Sequence, residues 1–155
     1  VTEPISRDYV EATTRSATSG DELLSFGIEV VHVEEPISRE LLLVRLRDAW
    51  GAKRAGSNLR PWLESIADRV GQQVRVAGEA YYLNEDRLRV PRDWSRRPQS
   101  ERKFEYVPRV EFQAAGLSVV RRSFGIRVDD AVKEAYSGGF PSWREPKGAK
   151  LSTIW

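Results

Sequence analysis

Apolar positions recur at two distinct periods along this chain, and the change of period divides it. From Asp21 to Val33 the apolar residues Leu23, Leu24, Phe26 and Ile28 lead into Val30, Val31 and Val33. This predicts a first helix with Asp21 in the capping position, interrupted in propensity by Gly27 and the β-branched run. Ser38 then follows Pro36-Ile37, and Leu42, Leu43, Leu46, Ala49 and Trp50 recur at helical spacing. Ser38 is a good N-cap, Ile37 and Leu42 occupy the two staple positions, and Gly51 is the expected stop. A third apolar stripe, Leu59, Leu63, Ile66 and Val70 with Trp62 beside it, predicts a helix capped by Asn58 and ended by Gly71. Asn58 is preferred to Ser57 because it sets Pro61 in the first turn, where a missing N–H costs nothing.

After Gly71 the period becomes strand-like. Val74 and Val76 alternate with Gln73 and Arg75, Gly78-Glu79 can turn the chain, and Tyr81-Tyr82-Leu83 returns it. Asn84-Glu85-Asp86 reads as a second turn, and Leu88 and Val90 alternate with Arg87 and Arg89 as a further strand. The resulting order is helix, helix, turn, helix, β-hairpin, and the expected fold is mainly α with a small β-hairpin wing: a winged helix-turn-helix followed by a helical extension. The expected division is a polar arm over residues 1–20, a winged-helix domain over 21–90, a basic loop over 91–103, and a helical extension over 104–155 packed on the first domain. In that extension Pro108 precedes a stripe of Phe112, Ala115, Val119 and Phe124, Gly125 interrupts it, and Val128–Tyr136 predicts another short helix. The tail carries Phe140, Trp143, Leu151, Ile154 and Trp155, an apolar set expected to pack on the domain or on a neighbour. The strings VTEPISRD at 1–8 and VEEPISRE at 33–40 nearly repeat, but only the second opens an apolar helix.

Charge sharpens this picture more than composition does. The 155 residues carry a formal net charge of +2, unevenly spread: residues 1–37 hold eight acids and two arginines, whereas residues 38–103 hold fifteen bases and nine acids. A basic block behind an acidic start points to an anionic partner for the middle of the chain. Arginine dominates the bases, and its planar fork suits phosphate and guanine; an arginine-favouring genome explains the same ratio. Cysteine is absent, which excludes disulfides and thiol chemistry. No apolar run reaches the ~20 residues of a membrane span, and the acidic, polar start Val1-Thr2-Glu3-Pro4 does not resemble a secretory leader. A cytoplasmic location is expected. The chain opens on Val1 and not Met, as expected of a piece excised from a longer protein.

Catalytic signals are sparse. His32, flanked by Val31 and Val33, is the sole histidine and has no sequence partner for acid-base or ligand duty, so it reads as structural. The acid pairs Asp129-Asp130 and Glu85-Asp86 are adjacent in sequence and so do not share one face; caps or turns account for them better than nuclease chemistry. No glycine-rich phosphate loop, zinc spacing or nucleophile elbow occurs. The chain is therefore expected to be non-catalytic, with no cofactor, no metal and no small-molecule substrate.

The segment VHVEEPISRELLLVRLRDAWGAKRAGSNLRPWLE, residues 31–64, resembles a domain-of-unknown-function family. That family sits at the C-terminal end of large bacterial superfamily I helicase-like proteins, which often carry a very-short-patch-repair-type endonuclease domain. Its pattern runs VE.EGP(I/V)H, then a helix with RR(I/L)R.A.G, then KR.GSR(I/L)R. Val33-Glu34-Glu35-Pro36-Ile37, Arg45 through Gly51, and Lys53-Arg54-Ala55-Gly56-Ser57 follow it. Glu35 stands where Gly is usual and Asn58 where Arg is usual. Weaker likeness continues through Phe124-Gly125-Ile126 and Gly139-Phe140. The resemblance implies a winged-helix-like module in a protein acting on nucleic acid, in a setting of bacterial defence.

These readings converge on a nucleic-acid-binding accessory module of a larger helicase or nuclease protein. Its expected partners are double-stranded DNA, held backbone-first with weak sequence preference, and other domains of the parent. Lys53, Arg54, Ser57, Asn58 and Arg60 would act at the start of the third helix, Arg75 on the wing, and Arg92, Arg96 and Arg97 in the basic loop. The alternative is a protein-interaction or scaffold module within the same parent, since Glu64 and Asp68 dilute the third helix and the tail is aromatic.

Overall fold

A computed structural model of the chain describes residues 3–4, 17–51, 58–122 and residue 130. The chain divides into two compact units, residues 6–85 and residues 86–155 together with 1–5. Both are mainly helical in their described parts, and the first carries a three-stranded antiparallel sheet. No helix among the described residues is long and apolar enough to cross a membrane.

In the first unit, helix α1 (Gly20–Glu34) begins one residue before Asp21, the expected cap. Ser19 is the N-cap, and its hydroxyl accepts from the Glu22 N–H at 3.2 Å. Glu22 reaches back, its Oε2 accepting from both the backbone N–H and the hydroxyl of Thr18 at 2.8 Å. Two orphan donors of the first turn region are thereby satisfied reciprocally. Leu23, Phe26, Val30 and Val31 face the core. Pro36 disfavours helical backbone at Glu35, which leaves the helix at φ −59°, ψ 137°.

Strand β2 (Ile37–Ser38) comes next, and helix α2 (Arg39–Trp50) starts directly from it. Ser38 both closes the strand and caps the helix, accepting from the Leu41 N–H at 3.3 Å. Gly51 ends α2 in the left-handed region at φ 82°, its N–H donating to the Arg47 and Asp48 carbonyls, the role its position predicts. Helix α3 (Leu59–Gln73) has Asn58 at the N-cap position, but Asn58 keeps helical backbone and its side chain makes no capping bond. Leu63, Ile66, Ala67 and Val70 are buried, so the expected apolar stripe of α3 does face inward. Each fully buried Leu, Ile or Val side chain contributes on the order of 1.5–3 kcal/mol.

Gly71 lies inside α3 and does not end it. A Cβ there would meet the Tyr81 ring at 3.1 Å, so the glycine serves the approach of strand and helix. Strands β3 (Arg75–Ala77) and β4 (Ala80–Tyr82) form the hairpin, with Gly78 at φ 62° in the two-residue turn. Glycine first in such a turn matches the twist of the flanking strands. The strand order is β2-β4-β3, with Ile37 opposite Tyr81 and Val76 opposite Tyr81 on its other side.

The strand expected through Leu88 and Val90 is instead a 3-10 helix over Glu85–Arg89. Strand β4 already has a neighbour on each edge, so the segment that follows it cannot return to pair with β4. The Glu35 carboxylate also accepts the Leu83 and Asn84 N–H groups, taking those donors out of sheet pairing.

In the second unit, β1 (Glu3–Pro4) pairs in parallel with β5 (Arg92–Asp93). Residues 91–103, expected to form a basic loop, carry β5 and 3-10 turns at Trp94–Arg96 and Gln99–Glu101. A further turn at Phe104–Tyr106 leads into helix α4 (Arg109–Arg122). Phe112, Ala115 and Val119 are buried on α4 as their spacing predicts, and Phe104 stacks on Phe112 with ring centroids 5.1 Å apart. Apart from Asp130, which is helical, the helix expected over Val128–Tyr136 lies outside the described residues, as do Phe124 and the aromatic tail.

Candidate nucleic-acid interface

The phase of α3 decides which side chains its outer face offers. With Leu63, Ile66, Ala67 and Val70 turned inward, Asn58, Arg60, Pro61, Ser65, Asp68, Arg69, Gln72 and Gln73 are exposed. None of the large exposed apolar side chains belongs to α3; among the described residues these are Trp50, Val76, Leu117 and Val120. The outer face of α3 is thus a strip of amides, hydroxyl, guanidinium and carboxylate groups without an apolar anchor.

Its charges are paired. Arg60 donates from Nε to Glu64 Oε1 at 3.1 Å and from one terminal nitrogen to both oxygens of Glu40 at 3.3 and 3.4 Å. These bonds raise the Arg60 pKa, the Glu64 hydrogen bond most and the Glu40 charge next. Arg39 donates from one terminal nitrogen to Asp68 at 2.7 Å and to the Tyr81 hydroxyl at 2.8 Å. Burial, the largest single effect, pulls the Arg39 pKa down, but Asp68 and Tyr81 together outweigh it and hold the cation firmly. Arg69 lies 3.6 Å from Asp21. On the wing, Arg75 sits 3.7 Å from Glu85 and 5.6 Å above the Tyr82 ring.

The nine residues singled out from sequence fare differently. Asn58, Arg60 and Arg75 are exposed in the first unit. Lys53, Arg54 and Ser57 lie outside the described residues, and so does the side chain of Arg96, whose backbone is in the Trp94–Arg96 turn. Arg92 and Arg97 are interior, only 6% and 2% exposed. Arg92 donates from Nε to Glu111 Oε1 at 3.0 Å, and Glu111 also accepts from the Arg92 backbone N–H and, at 3.0 Å, from Trp94 Nε1. The Arg97 guanidinium lies 4.0 Å from the Trp94 ring centroid and 3.8 Å from Glu101. Both arginines hold the second unit together and present no guanidinium to a phosphate. Their pattern looked like a solvated basic loop because Glu111, the acid that neutralises Arg92, lies nineteen positions along the chain.

Gln72 and Gln73 on the same strip were not anticipated, because reading Gly71 as the helix end removed them from α3. Continuing the helical phase from Asn58 through Ser65 would have found them. His32 is exposed on α1, and no group of three or more His, Cys, Asp or Glu side chains among the described residues is arranged to hold a metal ion.

Residues 16–61 match the model of a family described as a protein of unknown function, DUF3320. The match spans α1, β2, α2 and the first residues of α3. No curated protein and no solved structure matches the chain.

Proposed function

We propose that residues 20–85 act as a winged-helix accessory module that binds double-stranded DNA, backbone-first and with little sequence preference, within a larger helicase or nuclease protein. The observation that carries the reading is the outer face of α3: polar apart from Pro61, and without a large exposed apolar side chain of the kind protein interfaces are built around. Amide and guanidinium groups on a helix of this kind suit base edges and phosphates in a major groove. The element order α1-β2-α2-α3-β3-β4, with β4 between its two partners, supports the winged-helix reading, in which the helix before the hairpin would be the recognition element. In sequence the bases Lys53 and Arg54 precede α3 by a few residues, and the N-terminal end of a helix favours anions through its backbone N–H groups. The parent protein, its nuclease partner domains, a cytoplasmic location and a role in bacterial defence are carried by the likeness of residues 31–64. The module itself has no catalytic role and needs no cofactor.

Fluorescence anisotropy of the full chain with a labelled duplex at two salt concentrations tests this. Binding at about 50 mM salt that weakens steeply toward about 200 mM, with each phosphate contact contributing a slope of about −0.9, is the expected result. Arg75→Ala should flatten the slope. No binding at the lower salt by a folded chain overturns the proposal.

A second reading, docking on another protein, is favoured by one observation. Trp50 is 36% exposed and packs edge-on against Trp62 at 4.8 Å, and Val76 on the wing is 47% exposed. Tryptophan is enriched at interface hot spots. Co-purification with other parts of the parent, lost in Trp50→Ala, would select this reading.

A further inference from the structure

Arg60 is the most forward cation of α3, in its first turn, and two carboxylates from two helices bracket it. Glu64 stands one turn further along α3, and Glu40 stands in the first turn of α2. All three side chains are about half exposed, at 55%, 40% and 46%. The trio therefore carries one positive and two negative charges at the point where a duplex backbone would first meet the helix. Next to it, Asp68 is already taken up by Arg39, whose other terminal nitrogen lies 3.5 Å from the Glu64 carbonyl. Among the described residues no second cation is thus placed to neutralise the excess acid at Arg60. A phosphate approaching Arg60 must displace it from both carboxylates and tolerate them afterwards.

We infer that Glu40 and Glu64 form an acidic guard on Arg60 that suppresses generic phosphate binding by α3. The inference rests on the nucleic-acid reading above and specifies how that site is regulated: its affinity for arbitrary duplex is held down so that other contacts of the parent protein decide where it binds. Exposed ion pairs are each worth about 0.2–1 kcal/mol, so releasing both corresponds to a rise in affinity of about 2- to 30-fold. Freeing one cation for a phosphate should steepen the salt slope by about 0.9.

The experiment compares wild type, Glu40→Gln/Glu64→Gln, and the same pair with Arg60→Ala, using the full chain and a labelled duplex of mixed sequence over a salt series. Far-UV circular dichroism confirms that each variant is folded. Tighter binding and a steeper slope in the double variant, both lost when Arg60 is removed, support the guard. A gain that persists without Arg60 is a general charge effect and overturns it. Equal binding by wild type and the double variant overturns the guard while leaving the nucleic-acid reading intact. Absence of binding by wild type and by the double variant at low salt overturns both.

Discussion

Glu34 and Arg45 form a closed ion pair between the last turn of α1 and the middle of α2, and its disruption should dominate the stability of the first unit. Arg45 donates from Nε to one Glu34 oxygen at 2.8 Å and from a terminal nitrogen to the other at 3.3 Å. The residues are 1% and 2% exposed, so neither charge can fall back on water if its partner is lost. Breaking such a buried pair costs about 3–5 kcal/mol, whereas replacing both members by apolar groups of similar volume is often neutral or better. A domain of this size shifts its Tm by about 4–8 °C per kcal/mol, so Glu34→Leu or Arg45→Met alone should lower the Tm of the first unit by at least about 12 °C. Glu34→Leu/Arg45→Met should recover most of that loss. The measurement is thermal and urea unfolding of all four proteins by far-UV circular dichroism, the urea free energies combined as a double-mutant cycle. Single variants within about 1 kcal/mol of wild type, or a double variant as unstable as the sum of the singles, would refute the account of the pair.

Other parts of the molecule give further expectations. A Cβ at Gly27 would fall 2.7 Å from Val70 Cγ2 and 3.2 Å from Leu46 Cδ2, so Gly27→Ala should destabilise by about 1–2 kcal/mol net, overpacking outweighing the gain in helix propensity; a thermal melt showing stabilisation contradicts this. Hydrogen bonds from Thr18, backbone first and hydroxyl second, lower the Glu22 pKa below its ordinary 4.5. The stability Glu22 contributes is therefore complete above that value and lost as pH falls through the lower, folded one. Wild type should exceed Glu22→Gln in stability near neutral pH and converge with it in acid; a gap unchanged by pH would be inconsistent with the capping bonds. Arg97→Ala should destabilise the second unit by about 2 kcal/mol or more through the lost stack on Trp94 while leaving the salt slope of any duplex binding unchanged; a changed slope with intact stability would return Arg97 to the surface.

Local rules carried far along this chain because they act within a few residues. Ser38 and Gly51 bound α2 through their own backbone chemistry, the apolar stripe fixes which face of α3 is buried, and Gly78 admits the hairpin turn. The α4 stripe of Phe112, Ala115 and Val119 follows from the same periodicity. Strand β2 escaped notice because two residues have no period of their own; only pairing with β4 makes Ile37-Ser38 a strand. Leu88 and Val90 alternate like a strand but cannot pair with the strand they follow, and a pattern along one segment cannot report that β4 is already flanked on both sides.

The outer face of α3 was fixed by sequence alone in most of its members, since a helix and its apolar stripe dictate what remains outside. Whether those side chains are electrostatically open was not. Formal charge made residues 38–103 a basic block, yet the acids that matter are matched to bases in space: Glu40 to Arg60 across twenty positions, Asp68 to Arg39 across twenty-nine, and Glu111 to Arg92 across nineteen. Composition sums charge over a segment, whereas a phosphate meets only the charges left unneutralised at one surface, and tertiary packing decides which those are.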